Sequence, residues 1–239
     1  MSESVYVQPL AVEPANPTTL EELQETYQMK RALIQQRIEE LRKGWEKSDN
    51  GIFAELCYGI LLAREDAAKT LPLVAELESS RLLFDGSSDQ IQEYLRQHHY
   101  ALRNRSKYIV DWRGRLTDQG SLRIKNILEN KFRTSKGWRI YAAREYLVSQ
   151  HSGVGWKVAS QFLRNIGIGL DCGLALLDRH IQKELRKFNY TPRIYKQALW
   201  KSKYLQYEQK MQAMAENSAI PIDDLDLLIW SNRTGLIIK

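Results

Sequence analysis

The 239-residue sequence is poor in the residue types that build disulfide frameworks and metal centres. It has two cysteines, Cys57 and Cys172, and four histidines. This excludes a disulfide scaffold and a four-cysteine zinc or iron–sulfur site within the chain, and the histidines lack metal-ligand spacing. There is no apolar run long enough to span a bilayer, and the first residues do not form a basic-then-apolar leader. We therefore expect a cytoplasmic protein with neither a metal nor a membrane partner.

Charge is distributed unevenly along the chain, whose net charge is +6. Residues 103–210 hold 23 Lys and Arg against 8 Asp and Glu, whereas residues 1–102 hold 10 against 17. Aromatic residues interleave with the basic ones: Tyr108, Trp112, Trp138, Tyr141, Trp156, Trp200 and Tyr204. This combination favours a polyanionic partner such as nucleic acid. A well-solvated helical surface is the alternative, and charge by itself does not choose between them.

The apolar pattern predicts an all-α domain over residues 19–239, preceded by a flexible tail. Residues 1–18 contain three prolines and few large apolar groups, which is typical of a tail. Thr19-x-x-Glu22 has the form of a capping box and predicts a helix that runs to Leu41 and is broken at Ser48–Gly51. Period-two alternation of the kind that indicates a sheet is missing. Further helices are predicted at residues 52–62, 67–77, 88–97, 105–113, 121–130 and 139–149.

Residues 139–167 are predicted to form a helix–hairpin–helix. Two amphipathic segments, 139–149 and 156–166, are joined by a turn that contains Gly153, Val154 and Gly155. Both glycines can adopt positive φ, and without a Cβ their amide groups can approach a DNA phosphate at the start of the second helix. A tight turn with no ligand is the alternative, and Gly-x-Gly alone is a weak signal.

Two residues near the hairpin suit the chemistry of base excision. Lys157 shares a polar helix face with Gln161 and Arg164, so it is either a solvated surface charge or an amine nucleophile. Its position in the first turn of a helix disfavours the ammonium form. Asp178 is predicted to cap the next helix, and a carboxylate fixed in this way can stabilise a cation that develops at a sugar carbon. Together these parts predict a DNA glycosylase that also cuts the strand.

The residues of the hairpin and of the Asp178 segment resemble the helix–hairpin–helix superfamily of base-excision DNA glycosylases. The closest resemblance is to its compact branch, the prokaryotic 8-oxoguanine DNA glycosylase/lyases. It is carried by Gly153–Gly167, by Leu177-Asp-Arg-His-Ile181, and by Asp226-Leu-Leu-Ile-Trp230 with the following Gly235–Lys239. The similarity extends to Phe53–Cys57 and to residues 103–110.

This resemblance implies an all-α, two-lobed fold with its active site in the inter-lobe cleft. It implies that Lys157 is the Schiff-base nucleophile and Asp178 the catalytic carboxylate, and that Trp230 and Lys239 contribute to the base pocket. It also implies a monomer acting on double-stranded DNA that contains a damaged base. The chemistry requires no cofactor, while a structural monovalent cation held by hairpin carbonyls is left open.

Three positions depart from the pattern of that branch. Residues Leu61–Asp66 replace its usual Leu-Thr-Ala-Asn-like loop, Gln161 stands where histidine is usual, and Leu170–Gly173 lengthens the loop before Asp178. Excision of 8-oxoguanine or a related oxidised purine is the leading interpretation. A glycosylase with the same chemistry for another modified or hypermodified base, and a non-catalytic DNA-binding module, are the alternatives.

Overall fold

The computed structural model describes residues 5–63, 65–98, 104–150 and 152–239. Within these residues it contains twelve α-helices and six two-residue strands. In chain order the elements are β1 (Leu10–Ala11), α1 (Leu20–Arg42), α2 (Asp49–Leu62), α3 (Ala67–Ser79), α4 (Leu82–Asp85), α5 (Ser88–Gln97), α6 (Arg105–Leu116), β2 (Thr117–Asp118), β3 (Ser121–Leu122), α7 (Ile124–Phe132), β4 (Arg133–Thr134), β5 (Gly137–Trp138), α8 (Ile140–Ser149), α9 (Trp156–Asn165), α10 (Arg179–Lys187), α11 (Lys201–Ser218), α12 (Ile222–Thr234) and β6 (Leu236–Ile237). The all-α prediction is confirmed.

The helix starts follow from capping residues in the sequence. The Thr19 side chain accepts a hydrogen bond from the backbone N–H of Glu22 and begins α1 as predicted. Ser48 begins α2 in the same way, since its hydroxyl accepts from Gly51 N–H. A full capping box joins Ser87 to Gln90 at the start of α5. Side-chain caps of this kind satisfy backbone donors that the first turn of a helix leaves without partners.

The predicted helix at residues 121–130 begins later than the apolar pattern suggested. Ser121–Leu122 pairs with Thr117–Asp118 as a short antiparallel ladder, and α7 starts only at Ile124. The two turn residues, Gln119 and Gly120, both have positive φ, 49° and 78°. Positive φ at both central residues is the geometry of a tight hairpin turn, so the chain reverses here and α7 can begin only after β3.

The chain folds into two compact units, each built from two separated segments. One unit comprises Met1–Val7 and Gly44–Phe162, and the other comprises Gln8–Lys43 and Leu163–Lys239. In the first unit the core centres on α2, whose residues from Ile52 to Leu61 are all buried. In the second unit α1 and α12 pack together and α10, α11 and β6 also contact α12. A helix that is buried on every side, as α2 is, forms the centre of a helical core.

The N-terminal segment differs from the flexible tail expected from its composition. Leu10 and Ala11 pair with Ile237 and Leu236 as an antiparallel ladder. The backbone N–H of Val12 donates to the carbonyl of Gly235 at 2.9 Å. A proline-rich segment without apolar periodicity can therefore be extended and ordered. Its partner strand lies more than 200 residues away in sequence, so the segment itself carries no signal of this pairing. Residues 1–4 lie outside the described residues.

Candidate active site

The turn between α8 and α9 is shaped by Gly153. Its φ of +75° lies in the left-handed region, which a residue with a side chain adopts only with strain. A Cβ at this position would also lie 2.4 Å from Cδ2 of Tyr108 on α6. Glycine is thus required here for two independent reasons. Val154, next in the turn, is buried with 4% of its surface exposed and is a core contact, whereas its backbone remains the predicted DNA contact.

Gly155 has a different role from Gly153. Both glycines can adopt positive φ, but only Gly153 does so, since Gly155 is not among the described residues with positive φ. Its carbonyl accepts the first helical hydrogen bond of α9 from the N–H of Ala159, at 2.9 Å. It is exposed, and a Cβ added to it would meet no atom within 4 Å. Glycine at this position leaves open space beside the first backbone N–H groups of α9. Anions bind at such helix starts.

Helix α6 anchors the hairpin through residues that the sequence did not single out for this role. The indole Nε1 of Trp112, which is fully buried, donates to the carbonyl of Ser152 at 2.8 Å. The Ser152 hydroxyl donates to the carboxylate of Asp111. That hydrogen bond, together with Arg115, lowers the pKa of Asp111. Trp112 lies 40 positions before Ser152 in sequence, so no local signal could have predicted this contact. His151 lies outside the described residues.

Lys157 is half-buried in the first turn of α9. Its Nζ donates to Oε1 of Gln161 at 2.6 Å, so the nucleophile candidate and the residue that departs from the family pattern are hydrogen-bonded. Helix α9 is held close to α2, because Gly59 has no side chain and a Cβ there would lie 3.0 Å from Cγ1 of Val158. The first turn of α9, which presents the amine, is therefore held against α2 within the first unit.

The polar face of α9 is not the solvated surface that one alternative supposed. Gln161 is 2% exposed and Arg164 is 1% exposed. Arg164 forms a buried ion pair with Asp226 of α12. A buried charge is tolerated when it is paired in this way, which explains how a helix can carry polar residues on a face that does not meet solvent.

Asp178 begins α10, as predicted. Its Oδ1 accepts from the N–H of His180 at 2.7 Å and from the N–H of Ile181 at 2.9 Å. Both bonds use the same oxygen, so Oδ2 is not needed for capping. The lengthened loop before it is ordered: the Asp171 N–H donates to Asp223 at 2.9 Å, and the Asp171 carboxylate pairs with Arg42 at 2.6 Å.

The two residues expected in a base pocket, Trp230 and Lys239, both lie in the second unit. The Trp230 ring is half-buried and meets the ring of His180 edge to face, with centroids 6.4 Å apart. Trp230 is thereby linked to the residue two positions after Asp178. Lys239 is 7% exposed and follows two fully buried isoleucines, so this end of the chain is packed rather than frayed.

The basic segment is partly core and partly surface. Of its aromatic residues, Trp112 and Tyr204 are buried, whereas Tyr141 and Trp200 are 49% and 56% exposed. The guanidinium of Arg144 lies over the rings of Tyr141 and Trp156, at 5.3 and 5.1 Å. The aromatic residues that suggested a nucleic-acid surface therefore include both buried and exposed side chains. Only the exposed side chains can contact a polyanion.

In the described ranges, no group of three or more His, Cys, Asp and Glu side chains is arranged to hold a metal ion. Nor does any helix of those ranges combine the length and the apolar character that crossing a membrane requires. The loop at Leu61–Asp66 is described except for Arg64, and Asp66 caps α3 through the N–H groups of Ala68 and Lys69.

Comparison with known proteins decides the family. Residues 34–220 match the family described as 8-oxoguanine DNA glycosylase. The chain belongs to this family. An 8-oxoguanine DNA glycosylase/AP lyase from Fusobacterium nucleatum subsp. nucleatum is 31% identical over 219 residues, which cover 91% of this chain and 96% of that protein. Its counterpart from Methanocaldococcus jannaschii is 34% identical over 208 residues, covering 87% and 92%.

Solved structures of family members have the same fold. The chain resembles the Methanocaldococcus jannaschii 8-oxoguanine glycosylase/lyase in complex with 15mer DNA containing 8-oxoguanine, with a TM-score of 0.76, 31% identity, and coverage of 91% of this chain and 99% of that one. For the 8-oxoguanine DNA glycosylase of Thermotoga maritima the TM-score is 0.77, the identity 27% and the coverage 92% and 98%. The sequence-based prediction of the helix–hairpin–helix glycosylase fold is confirmed.

Proposed function

We propose that this protein excises 8-oxoguanine from double-stranded DNA and then cleaves the strand at the resulting abasic site, with Lys157 as nucleophile. As a member of the family, the chain is an enzyme with DNA glycosylase and AP lyase activity, and it binds DNA. The observation that carries the proposal is the family match over residues 34–220, because it includes the hairpin, Lys157 and Asp178 together. The non-catalytic alternative is therefore set aside.

Lys157 supplies the bond-forming atom. Its Nζ attacks C1′ of a nucleotide flipped out of the duplex, the glycosidic bond breaks, and the base leaves with the electron pair and takes up a proton. Opening of the sugar ring leaves an imine between Nζ and C1′. Loss of a proton from C2′ then expels the 3′ phosphate by β-elimination. The hydrogen bond to Gln161 supports this role by fixing the direction of the amine.

Asp178 supplies the charge that the departing base requires. As the glycosidic bond lengthens, positive charge develops on the sugar, and a preoriented carboxylate stabilises it. The two backbone hydrogen bonds to Oδ1 fix the orientation of the group and leave Oδ2 for the substrate.

The remaining predicted site residues bind DNA and the base. Backbone N–H groups of Gly153, Val154 and Gly155 contact a phosphate, which positions the duplex without reading its sequence. Trp230 stacks on the flipped base and Lys239 contributes to the pocket. We further propose that the protein acts as a monomer, and that a monovalent cation at the hairpin carbonyls, if present, is structural. The Ser152 carbonyl already accepts one hydrogen bond, which leaves it a second lone pair for such an ion.

Borohydride trapping tests the proposal directly. The protein is incubated with a duplex containing 8-oxoguanine opposite cytosine, borohydride is added, and a covalent protein–DNA adduct is measured. We expect an adduct with the wild type and none with Lys157→Gln. Lys69→Gln is the matched control, since Lys69 is exposed on α3 outside the basic segment. A Lys157→Gln variant that still forms the adduct would refute the nucleophile assignment.

The same assay separates lesion choice from chemistry. The altered loop at Leu61–Asp66 motivates a second candidate, a family member that acts on another modified base. A panel of modified duplexes and an abasic duplex should be run in parallel. Trapping on abasic DNA but not on 8-oxoguanine would retain Lys157 and replace the substrate, whereas trapping on 8-oxoguanine supports the substrate proposed here.

A further inference from the structure

A cavity of about 380 Å³ lies within the second unit, between the loop that follows α10 and one face of α11. Ligand sites of small molecules have volumes from roughly 300 Å³ upwards. Its walls come from residues 190–193 and Tyr195 of the loop, and from Lys203, Gln206, Tyr207 and Lys210 of the helix. No residue assigned to the glycosylase chemistry, to the hairpin or to the base pocket is among them.

The cavity wall is strongly basic. Arg193, Lys203 and Lys210 line it, and none of the described residues that line it is acidic. The Nζ of Lys203 is 2.5 Å from Oε1 of Gln206, a neutral partner. Three cations that share one wall without an anion repel each other, so an anion of matching size would relieve this repulsion.

Tyrosine rings form the rest of the wall. Tyr190, Tyr195 and Tyr207 line the cavity, and the rings of Tyr195 and Tyr207 meet at 72° with centroids 5.7 Å apart. The guanidinium of Arg193 lies 4.5 Å from the centroid of the Tyr195 ring. Aromatic faces beside cations are the combination that holds a nucleotide, because the ring stacks on the base or sugar while the cation binds the phosphate.

The loop that carries these residues is held in place by its backbone. The N–H of Tyr195 donates to Oε1 of Gln182 at 2.9 Å, and the Tyr207 hydroxyl donates to the carbonyl of Arg193 at 2.8 Å. The carbonyl of Lys196 accepts from Arg179 at 3.2 Å. A wall that is already organised loses little conformational freedom when a ligand binds.

Thr191 supplies a second, independent observation. It lines the cavity and is 5% exposed, yet its Oγ1 has no hydrogen-bond partner in the described part of the chain. Burial raises the pKa of the neighbouring Tyr207 phenol, and the Thr191 hydroxyl beside it opposes that rise. An unsatisfied buried hydroxyl is costly, and a phosphate oxygen in the cavity would satisfy it.

We propose that this cavity binds the phosphate group of a nucleotide, with Arg193, Lys203, Lys210 and Thr191 as its ligands and the tyrosine rings against the nucleoside. The phosphate can belong to a free mononucleotide or to a DNA strand. This proposal rests on a different set of residues from the base-excision chemistry, so either can fail without the other.

Binding is tested by following backbone amide signals in ¹⁵N-labelled protein during titration. Three probes distinguish the sources: inorganic phosphate, deoxyguanosine 5′-monophosphate, and a single-stranded tetrathymidylate without a terminal phosphate. We expect saturable shifts at Thr191 and Tyr195 with at least one nucleotide probe. Shifts with the mononucleotide alone assign a free nucleotide, and shifts with the tetrathymidylate assign DNA. Absence of saturable shifts with all three probes overturns the proposal.

A pair of double variants tests whether the cations of the cavity are responsible. Arg193→Gln/Lys210→Gln should raise the dissociation constant at least tenfold. The matched control is Lys183→Gln/Arg186→Gln, which removes the same charge from two exposed residues of α10 outside the cavity and should change the constant by less than twofold. Equal losses in the two variants would indicate general charge attraction and overturn the site.

Thr191→Val provides a readout that general charge cannot reproduce. Valine has the shape of threonine without the hydroxyl, so the free protein should unfold at a higher temperature, because an unsatisfied buried group has been removed. The same variant should bind the nucleotide about tenfold more weakly. A change in stability with no change in affinity would contradict the placement of the phosphate against Thr191.

Discussion

The Nζ of Lys157 donates a hydrogen bond of 2.6 Å to Oε1 of Gln161, one turn along the same helix. An amide oxygen can orient an amine, but it cannot accept its proton at any ordinary pH. The histidine that is usual at this position of the resembled branch could do both. In this chain the orienting role is kept, and any proton that Lys157 loses must go to another group.

Replacing Gln161 with histidine should therefore change how the rate depends on pH. An imidazole beside Lys157 titrates near neutrality, so the single-turnover rate of Gln161→His should gain a titration step between about pH 6 and 7. Gln161→Leu, which can neither orient nor titrate, should lose about fivefold in rate, the equivalent of one net hydrogen bond of about 1 kcal/mol. Identical pH profiles for the wild type and Gln161→His would contradict this account.

The two hairpin glycines should respond differently to alanine. Gly153→Ala places a Cβ against Tyr108 at a positive φ and should lower the free energy of unfolding by about 1–3 kcal/mol. Gly155→Ala has space for its Cβ, so it should keep its stability and lose only DNA affinity. Urea unfolding and DNA titration of both variants provide the comparison. Equal destabilisation by the two substitutions would mean that Gly155 is also conformationally required.

Substituting Asp178 by asparagine separates its structural role from its charge. Asparagine is as good an N-cap as aspartate, so Asp178→Asn should change the free energy of unfolding by no more than roughly 0.5 kcal/mol. The excision rate should fall at least about a hundredfold, because the carboxylate charge is lost. Asp66→Asn, which alters an equivalent cap on α3, calibrates the stability measurement. A rate that survives in Asp178→Asn would reduce this residue to a cap.

The free energy of unfolding should fall as pH rises from about 4 to above 6, because Asp223 is buried and loses its proton in this range. Burial raises its pKa to about 6, against an ordinary value of 3.8. Because the folded state holds the proton more tightly than the unfolded state, the stabilisation is fully present below about pH 4 and is lost as pH rises through about 6.

Asp223→Asn should remove that loss. The amide oxygen can still accept the hydrogen bond from Asp171 N–H, so at pH 7.5 the variant should be more stable by on the order of 3 kcal/mol. The difference should shrink towards pH 4, as measured by urea unfolding at both values. A stability difference that is independent of pH would show that ionisation of Asp223 is not its cause.

Local features were predictable and distant partners were not. The caps at Thr19 and Asp178 and the helices on each side of the hairpin follow from residues within one turn, and all were predicted. The burial of Arg164 depends on Asp226, 62 positions later, so the residues next to Arg164 in sequence cannot show that this polar helix face is buried. The family resemblance predicts a role in the base pocket for Lys239. Composition alone predicts only a frayed chain end at this position.

The order in which the units are completed during synthesis follows from their segment boundaries. Helix α1 belongs to the second unit, yet residues 44–162 of the first unit are made before the rest of the second unit begins. At cellular translation speeds this takes on the order of ten seconds. During that time Ile34 and Ile38, buried in the finished fold, lack the partner helix α12. The apolar face of α1 therefore stays without its partner helix until the last part of the chain has been made, although α1 is among the first elements synthesised.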